Sequence, residues 1–232
     1  MTVPCDGGRV AAAVHLPQKL PAPVVVCSHG LLSSKASAKY QLMGEVLSEA
    51  GMAVVRFDFT GCGATEAPPV EDLIATRLRD LLVVIDFARS QPWAGEPLAL
   101  MGSSFGGYIS LVAAAATKAP VRALACWSTP FDLERANLPI EDLEEIKRIY
   151  PDNFKLGGPV NLAGLPPLEG ALIVHGLNDE VIPWGDSEEI YRTVGEPKQL
   201  LLLEDADHVF SDARHRRSAV DATLAWLRRR GF

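Results

Sequence analysis

Six short stretches of this chain are apolar almost without interruption: residues 24–28, 53–59, 98–101, 123–127, 171–174 and 199–203. A strand with one wet face alternates polar and apolar residues. Runs this uniform instead suit strands covered on both faces, as in a parallel sheet between two helix layers. Stretches with helical spacing separate them, at residues 39–50, 72–90, 105–117, 187–193 and 211–230. Within 72–90, Leu73, Thr76, Asp80, Val83 and Phe87 recur at intervals of three or four, and Leu78, Leu81, Leu82 and Ile85 widen the apolar face. Strand and helix alternate, so the expected class is α/β with a mostly parallel sheet. Two alternating segments around Asp6-Gly7-Gly8 read as an opening hairpin, because such pairs supply the positive φ values a tight turn needs.

The rhythm breaks once. Residues 130–170 pass through Pro139, a charged helix-like stretch at 140–150, Pro151, Gly157-Gly158-Pro159 and Pro166-Pro167. This reads as a small cap insertion at about 131–168, laid over one end of the sheet inside a single domain of residues 1–232. The length of 232 residues and the 48% hydrophobic content suffice for one well-buried domain of that kind.

In an open parallel sheet, ligands bind beyond the carboxyl ends of the strands, so what each run delivers there is informative. The ends are Ser28-His29-Gly30-Leu31, Asp58-Phe59-Thr60-Gly61-Cys62-Gly63, Gly102-Ser103-Ser104-Phe105-Gly106, His175-Gly176-Leu177-Asn178-Asp179 and Glu204-Asp205-Ala206-Asp207-His208. The third has the form G-x-S-x-G between a strand and a helix, which throws Ser104 onto a sharp turn where only small neighbours fit. Ser104, Asp179 and His208 follow in the order nucleophile, acid, base. A serine hydroxyl attacks poorly until an imidazole takes its proton, and the imidazole needs a carboxylate to fix its tautomer. Rivals exist for each role. Ser103 adjoins the central position and is assigned to local packing or hydrogen bonding. Asp132 and Asp58 compete with Asp179, while Asp205 and Asp207 are too near His208 in sequence to reach round its ring. His15 and His215 lie far from the strand ends that matter.

Together these motifs resemble the α/β-hydrolases, and more narrowly the small serine esterases and peptidase-related hydrolases with His-Gly after the third strand. The resemblance covers essentially the whole chain. It rests on His29-Gly30-Leu31, on Arg56-Phe57-Asp58-Phe59-Thr60-Gly61-Cys62-Gly63, on Gly102 to Gly106, on His175 to Asp179 leading to Val181-Ile182-Pro183, and on Asp207-His208. It implies a mostly parallel eight-stranded sheet with helices on both faces, and an oxyanion hole formed by the backbone N–H groups of Leu31 and Phe105. In the related proteins, histidines placed like His29 and His175 shape loops, and Asp58 would brace the oxyanion loop. The expected activity is that of a serine hydrolase, a carboxylesterase cleaving small to medium acyl or aryl esters through an acyl-enzyme. Trp127, Phe131 and Trp184 are the expected substrate-binding aromatics beside the cap. The same three residues also serve peptidases, thioesterases and acyltransferases, and a non-catalytic binding protein on this scaffold is a further alternative.

The remaining features narrow the partners. A net charge of −7 works against binding a phosphate backbone, and Arg214, Arg216, Arg217 and Arg228 to Arg230 read as the solvated face of the last helix. The start lacks a basic segment followed by an apolar core, and no run approaches the roughly 18 apolar residues of a membrane span, so a soluble cytoplasmic protein is expected. The expected partner is a small acyl ester, with neither nucleic acid nor membrane. Histidines and cysteines lack metal-ligand spacing, and Gly61-Cys62-Gly63 has no following Gly-Lys-Ser/Thr, so no metal or cofactor is expected. Cys5, Cys27, Cys62 and Cys126 read as free thiols, with Cys62 the candidate for reactivity because it sits in a glycine loop.

Overall fold

The structure, a computed structural model, describes residues 1–5, 8–65, 72–149 and 155–232. Its centre is an eight-stranded sheet: β1 Thr2–Cys5, β2 Gly8–His15, β3 Ala22–Ser28, β4 Ala53–Phe57, β5 Ala94–Ser103, β6 Val121–Trp127, β7 Glu169–Gly176 and β8 Gly195–Leu203. The spatial order is β1-β2-β4-β3-β5-β6-β7-β8. β1 and β2 pair antiparallel, β2 also runs antiparallel to β4, and every pairing from β4 through β8 is parallel. The fold is thus the expected α/β-hydrolase arrangement. The opening hairpin is present, while its turn residues Asp6 and Gly7 lie outside the described residues.

Six helices accompany the sheet: α1 Ala38–Glu49, α2 Leu73–Arg89, α3 Phe105–Ala116, α4 Ile140–Ile149, α5 Gly185–Thr193 and α6 Ala213–Arg229. Because successive strand residues face opposite sides, each apolar run supplies two cores at once. Val24, Val26, Val55, Leu100 and Ile173 join α2, α3 and α5 in one layer. Val25, Cys27, Val54, Met101 and Val174 join α1 and α6 in the other. Uniform apolarity in the sequence therefore has the cause expected of it.

Two details differ from the sequence reading. The buried stripe of α2 is Leu73, Ile74, Arg77, Asp80, Leu81, Val84, Ile85 and Ala88, whereas Thr76, Val83 and Phe87 are only partly covered. The true stripe contains two charged residues, which a search for apolar spacing counts against it. β8 begins at Gly195 rather than at the apolar run, because its start lies at the sheet edge, where Glu196 and Pro197 are exposed.

Between β6 and β7 the chain leaves the sheet, forms a 3₁₀ turn at Leu133–Arg135 and then α4. Backbone bonds fasten this excursion to the body: Leu73 N–H to the Lys155 carbonyl (3.0 Å), Ile74 N–H to that of Leu156 (2.8 Å) and Asn137 N–H to that of Val181 (2.8 Å). The buried Asp186 carboxylate adds a further tie, accepting from Phe131 N–H at 2.8 Å and from the Arg135 guanidinium at 3.3 Å.

Candidate active site

The turn between β5 and α3 carries Ser104 at φ 55° and ψ −130°, a conformation L-residues rarely adopt. Its neighbours explain why glycines flank it. A Cβ on Gly102 would collide with the Gly106 carbonyl, and one on Gly106 with the carbonyls of Ser28 and His29. Ser104 N–H donates to the Trp127 carbonyl at 2.8 Å, which ties the turn to β6. The Ser104 carbonyl accepts from Gly107 and Tyr108 N–H at 2.9 and 3.2 Å. The N–H groups of Phe105 and Gly106, in the first turn of α3, thus fall outside the helical ladder and at its positive end.

His208, in the loop after β8, directs Nε2 at Ser104 Oγ (3.0 Å) and Nδ1 at both oxygens of Asp179 (3.0 and 2.9 Å). Because Nδ1 faces a carboxylate it carries the proton, which leaves Nε2 as the acceptor for the serine hydroxyl. The side chain of Asp179, after β7, is wholly enclosed. Its Oδ1 accepts from the N–H groups of Val181 (3.0 Å) and Ile182 (2.8 Å), and Oδ2 lies 3.1 Å from His175 Nε2. Burial opposes ionisation here, yet the hydrogen bonds from His175, His208 and Ile182 hold the carboxyl well below the usual carboxylate range. The three residues picked from the sequence therefore converge.

The loop after β3 passes directly beside the serine: a Cβ on Gly30 would sit 3.4 Å from Ser104 Cβ. His29 accepts Phe59 N–H through Nε2 (3.0 Å) and lies with Nδ1 2.7 Å from its neighbour's carbonyl at Gly30. Burial, reinforced by the nearby Arg77 charge, pushes its pKa down to about 3, so it stays neutral. Asp58 accepts from Lys35 N–H (2.6 Å), from the Lys35 ammonium and from Ala64 N–H (2.8 Å), bracing two loops against each other. His175 makes contact with Ser187 Oγ at 2.5 Å and backs Asp179 rather than the serine. Asp207 accepts Ser211 N–H (2.8 Å), and Asp132 accepts Glu134 N–H (3.0 Å), so both act locally.

Sequence reasoning missed one residue that holds this loop. Arg77, from α2, is 1% exposed and donates to the carbonyls of Gly30 (3.1 Å) and Leu31 (2.8 Å), with Cys62 Sγ at 3.3 Å. Its guanidinium also lies over the rings of Phe59 and Phe105, 4.7 and 5.2 Å from their centroids. A cation at a core position of a helical stripe was the available signal. Ser103 is packed as expected, 1% exposed, while its hydrogen bond comes from a residue distant in sequence: Lys39 Nζ donates to Ser103 Oγ at 2.9 Å.

Ser104, His208, Leu31 and Phe105 all border a cavity of about 810 Å³. Its apolar lining includes Leu31, Leu73, Phe105, Leu133, Ile146 and Leu156, so the excursion between β6 and β7 supplies part of the lining. The three expected aromatics are not among the lining residues. Trp127 is fully buried on the α1/α6 side, bonded through Nε1 to Thr223 Oγ1 (3.1 Å) and packed on Phe210. Phe131 is 8% exposed and belongs to the core on the opposite side of the sheet, and Trp184, 43% exposed, caps α5 at the surface. Only backbone atoms of Trp127 serve the site.

A strained serine between strand and helix, an imidazole and a carboxylate beyond the next strands, and this sheet order define the α/β serine hydrolases. Within that class, the family model described as "Serine aminopeptidase, S33" matches residues 19–154, and the chain belongs to this family. Among curated relatives, YfhR of Salmonella typhimurium is 30% identical over 174 residues, covering 70% of this chain and 57% of YfhR. The chain thus spans little more than half of that relative's length. The human palmitoyl-protein thioesterase ABHD10, a mitochondrial protein, is 26% identical over 209 residues, or 80% of this chain and 67% of ABHD10. Among solved structures, an α/β serine hydrolase without a lid from Xanthomonas campestris superposes with a TM-score of 0.74 at 23% identity, covering 99% of this chain and 93% of that one.

Proposed function

We propose that the chain is a carboxylic ester hydrolase that works through an acyl-enzyme on Ser104. The observation that carries this reading is the unbroken hydrogen-bond path from Ser104 Oγ through His208 to Asp179, opening on an apolar cavity. Ser104 attacks the acyl carbonyl as His208 Nε2 takes its proton, and Asp179 stabilises the imidazolium that forms. The N–H groups of Leu31 and Phe105 act as the oxyanion hole. His208 returns the proton to the leaving group, and water, activated by the same imidazole, releases the acid.

Described residues of the cap, Leu133, Ile146 and Leu156 among them, wall the acyl pocket. At about 810 Å³ the cavity lies in the upper part of the range of roughly 300–1,000 Å³ for small-molecule sites. That volume suits the small to medium acyl or aryl esters expected. An aminopeptidase would need carboxylates to hold a free amino terminus, whereas among the described residues the lining contains one, Asp142, against the cations Lys39 and Arg216. Thioester cleavage is the second reading, favoured by the similarity to ABHD10. Cys27 and Cys126 are buried thiols, and among the described residues no helix is long and apolar enough to cross a membrane.

A fluorophosphonate probe should label the protein at Ser104, and Ser104→Ala should abolish labelling and lower turnover by up to about a millionfold. Absence of labelling in the folded wild type would overturn the reading. Nitrophenyl esters, acyl thioesters and aminoacyl anilides of matched chain length rank the substrates. Labelling combined with inertness toward every ester would transfer the assignment to thioesters.

A further inference from the structure

The lining of the cavity divides by what its residues contact. Leu73, Phe105, Leu133 and Leu156 pack with the α2/α3 core. A second group has different chemistry. Lys39 Nζ donates to Ser103 Oγ and sits 5.7 Å from the Phe210 ring centroid, while Arg216 donates to the carbonyls of Phe210 (3.1 Å) and Ser211 (3.4 Å). Lys39, Ser103, Ser211 and Arg216 all line the cavity.

The ammonium of Lys39 is partly buried, yet none of the ion pairs among the described residues includes it. The carboxylates whose charge reaches it, Asp207 and Asp179, are engaged elsewhere, with Ser211 N–H and with His208. A desolvated cation without a carboxylate partner costs stability unless something else supplies the negative charge. Burial draws this one down to about 8, against the opposing pull of those two acids. The start of α1 adds to the same field. Ser37, the residue preceding the helix, borders the cavity, makes no capping bond, and keeps its Oγ buried without a partner. The N–H groups of Ala38 and Lys39 lie in the first turn, outside the helical ladder, at the positive end of the helix.

The position relative to His208 decides which part of a substrate meets this group. The imidazole that deprotonates Ser104 later protonates the leaving atom, so the leaving group departs beside Nε2. The residues that follow His208 in the chain, through Ser211 to Arg216, are the ones clustered with Lys39. We propose that the cavity contains a leaving-group subsite, formed by Lys39 Nζ with Arg216 alongside, that binds a carboxylate carried by the alcohol or thiol portion of the substrate. Because Ser103 adjoins Ser104, that carboxylate stands a few bonds from the scissile linkage. The assignment of leaving-group and acyl sides rests on the hydrolase reading above.

Equilibrium binding tests it without requiring turnover. In the full-length Ser104→Ala protein, calorimetry compares the octanoyl ester of 3-hydroxypropanoate with that of 3-hydroxypropanamide, which has the same shape and no charge. At pH 7 the carboxylate should bind at least about tenfold more tightly. Adding Lys39→Met should bring the ratio to about one, and Lys39→Arg should restore part of it. The preference should also decline between pH 7 and 9 as the ammonium loses its proton, since Asp179 and Asp207 remain ionised over that interval. Equal binding of the two ligands overturns the proposal, and so does a preference that survives Lys39→Met. If that variant fails to fold, a preference unchanged from pH 7 to 9 overturns it instead. These results stand apart from probe labelling at Ser104, so a failure of the subsite and a failure of the hydrolase reading give different signatures.

Discussion

Arg77 acts on the candidate site at second hand. The Gly30 carbonyl receives Arg77 and faces His29 Nδ1, and in a trans peptide the following N–H points the opposite way. Fixing that carbonyl therefore fixes the direction of Leu31 N–H, the donor assigned to the oxyanion. Arg77→Met should lower kcat by about tenfold to a thousandfold, the upper figure corresponding to loss of the donor itself, with KM little altered. Arg77→Lys should recover only part, because one ammonium cannot reproduce a planar fork across two carbonyls. A parallel loss in kcat and in unfolding midpoint that Lys fully repairs would mean the guanidinium merely packs. Ser104, Asp179 and His208 were legible because each follows a strand end and two stand beside glycines that close contact demands. Arg77 was not legible as a functional residue, since helical spacing identifies a face by its apolarity. Trp127 misled for a related reason: an aromatic at a strand end does not announce which side of the sheet it enters, and this one enters the α1/α6 side.

The turn from β5 into α3 depends on two glycines with no room for a methyl group. Gly106→Ala should destabilise the protein by at least about 3 kcal/mol, because the added carbon meets main-chain carbonyls of Ser28 and His29 rather than a yielding side chain. Gly185→Ala, at the start of α5 with nothing within 4 Å of the new carbon, should change stability by less than about 0.5 kcal/mol. Chemical denaturation of both variants checks the contrast, and similar midpoints would contradict it. The strands were largely legible as elements, because a run buried on both faces carries no competing period. The edge strand β8 was legible only in its apolar half. The buried stripe of α2 was displaced from the expected one because Arg77 and Asp80 occupy positions at which the search expects hydrocarbon, and Asp80 is there to accept Thr60 N–H at 2.7 Å.

Across the molecule, acid should be felt before the ordinary carboxylates begin to titrate. Burial, followed by the Arg77 charge, lowers His29 to about 3, and burial followed by Arg56 lowers His15 as well. A histidine near 6.5 in the unfolded chain takes up a proton there first. The stability tied to these two residues is therefore complete above about pH 6.5 and declines as the pH falls toward the folded values. Asp179 and Asp58, both lowered in the folded state, contribute a further loss below about pH 4. The thermal midpoint should start to drop between pH 6.5 and 5, and a flat midpoint across that interval would contradict the linkage. The excursion between β6 and β7 is suspended largely from main-chain atoms while its side chains roof the cavity. Substitutions in that roof can accordingly retune which molecules are admitted, as the strands beneath retain the apparatus for breaking bonds. The shape of this roof and the path from Ser104 through His208 to Asp179 lie in separable stretches of one polypeptide, and each is free to diverge at its own pace.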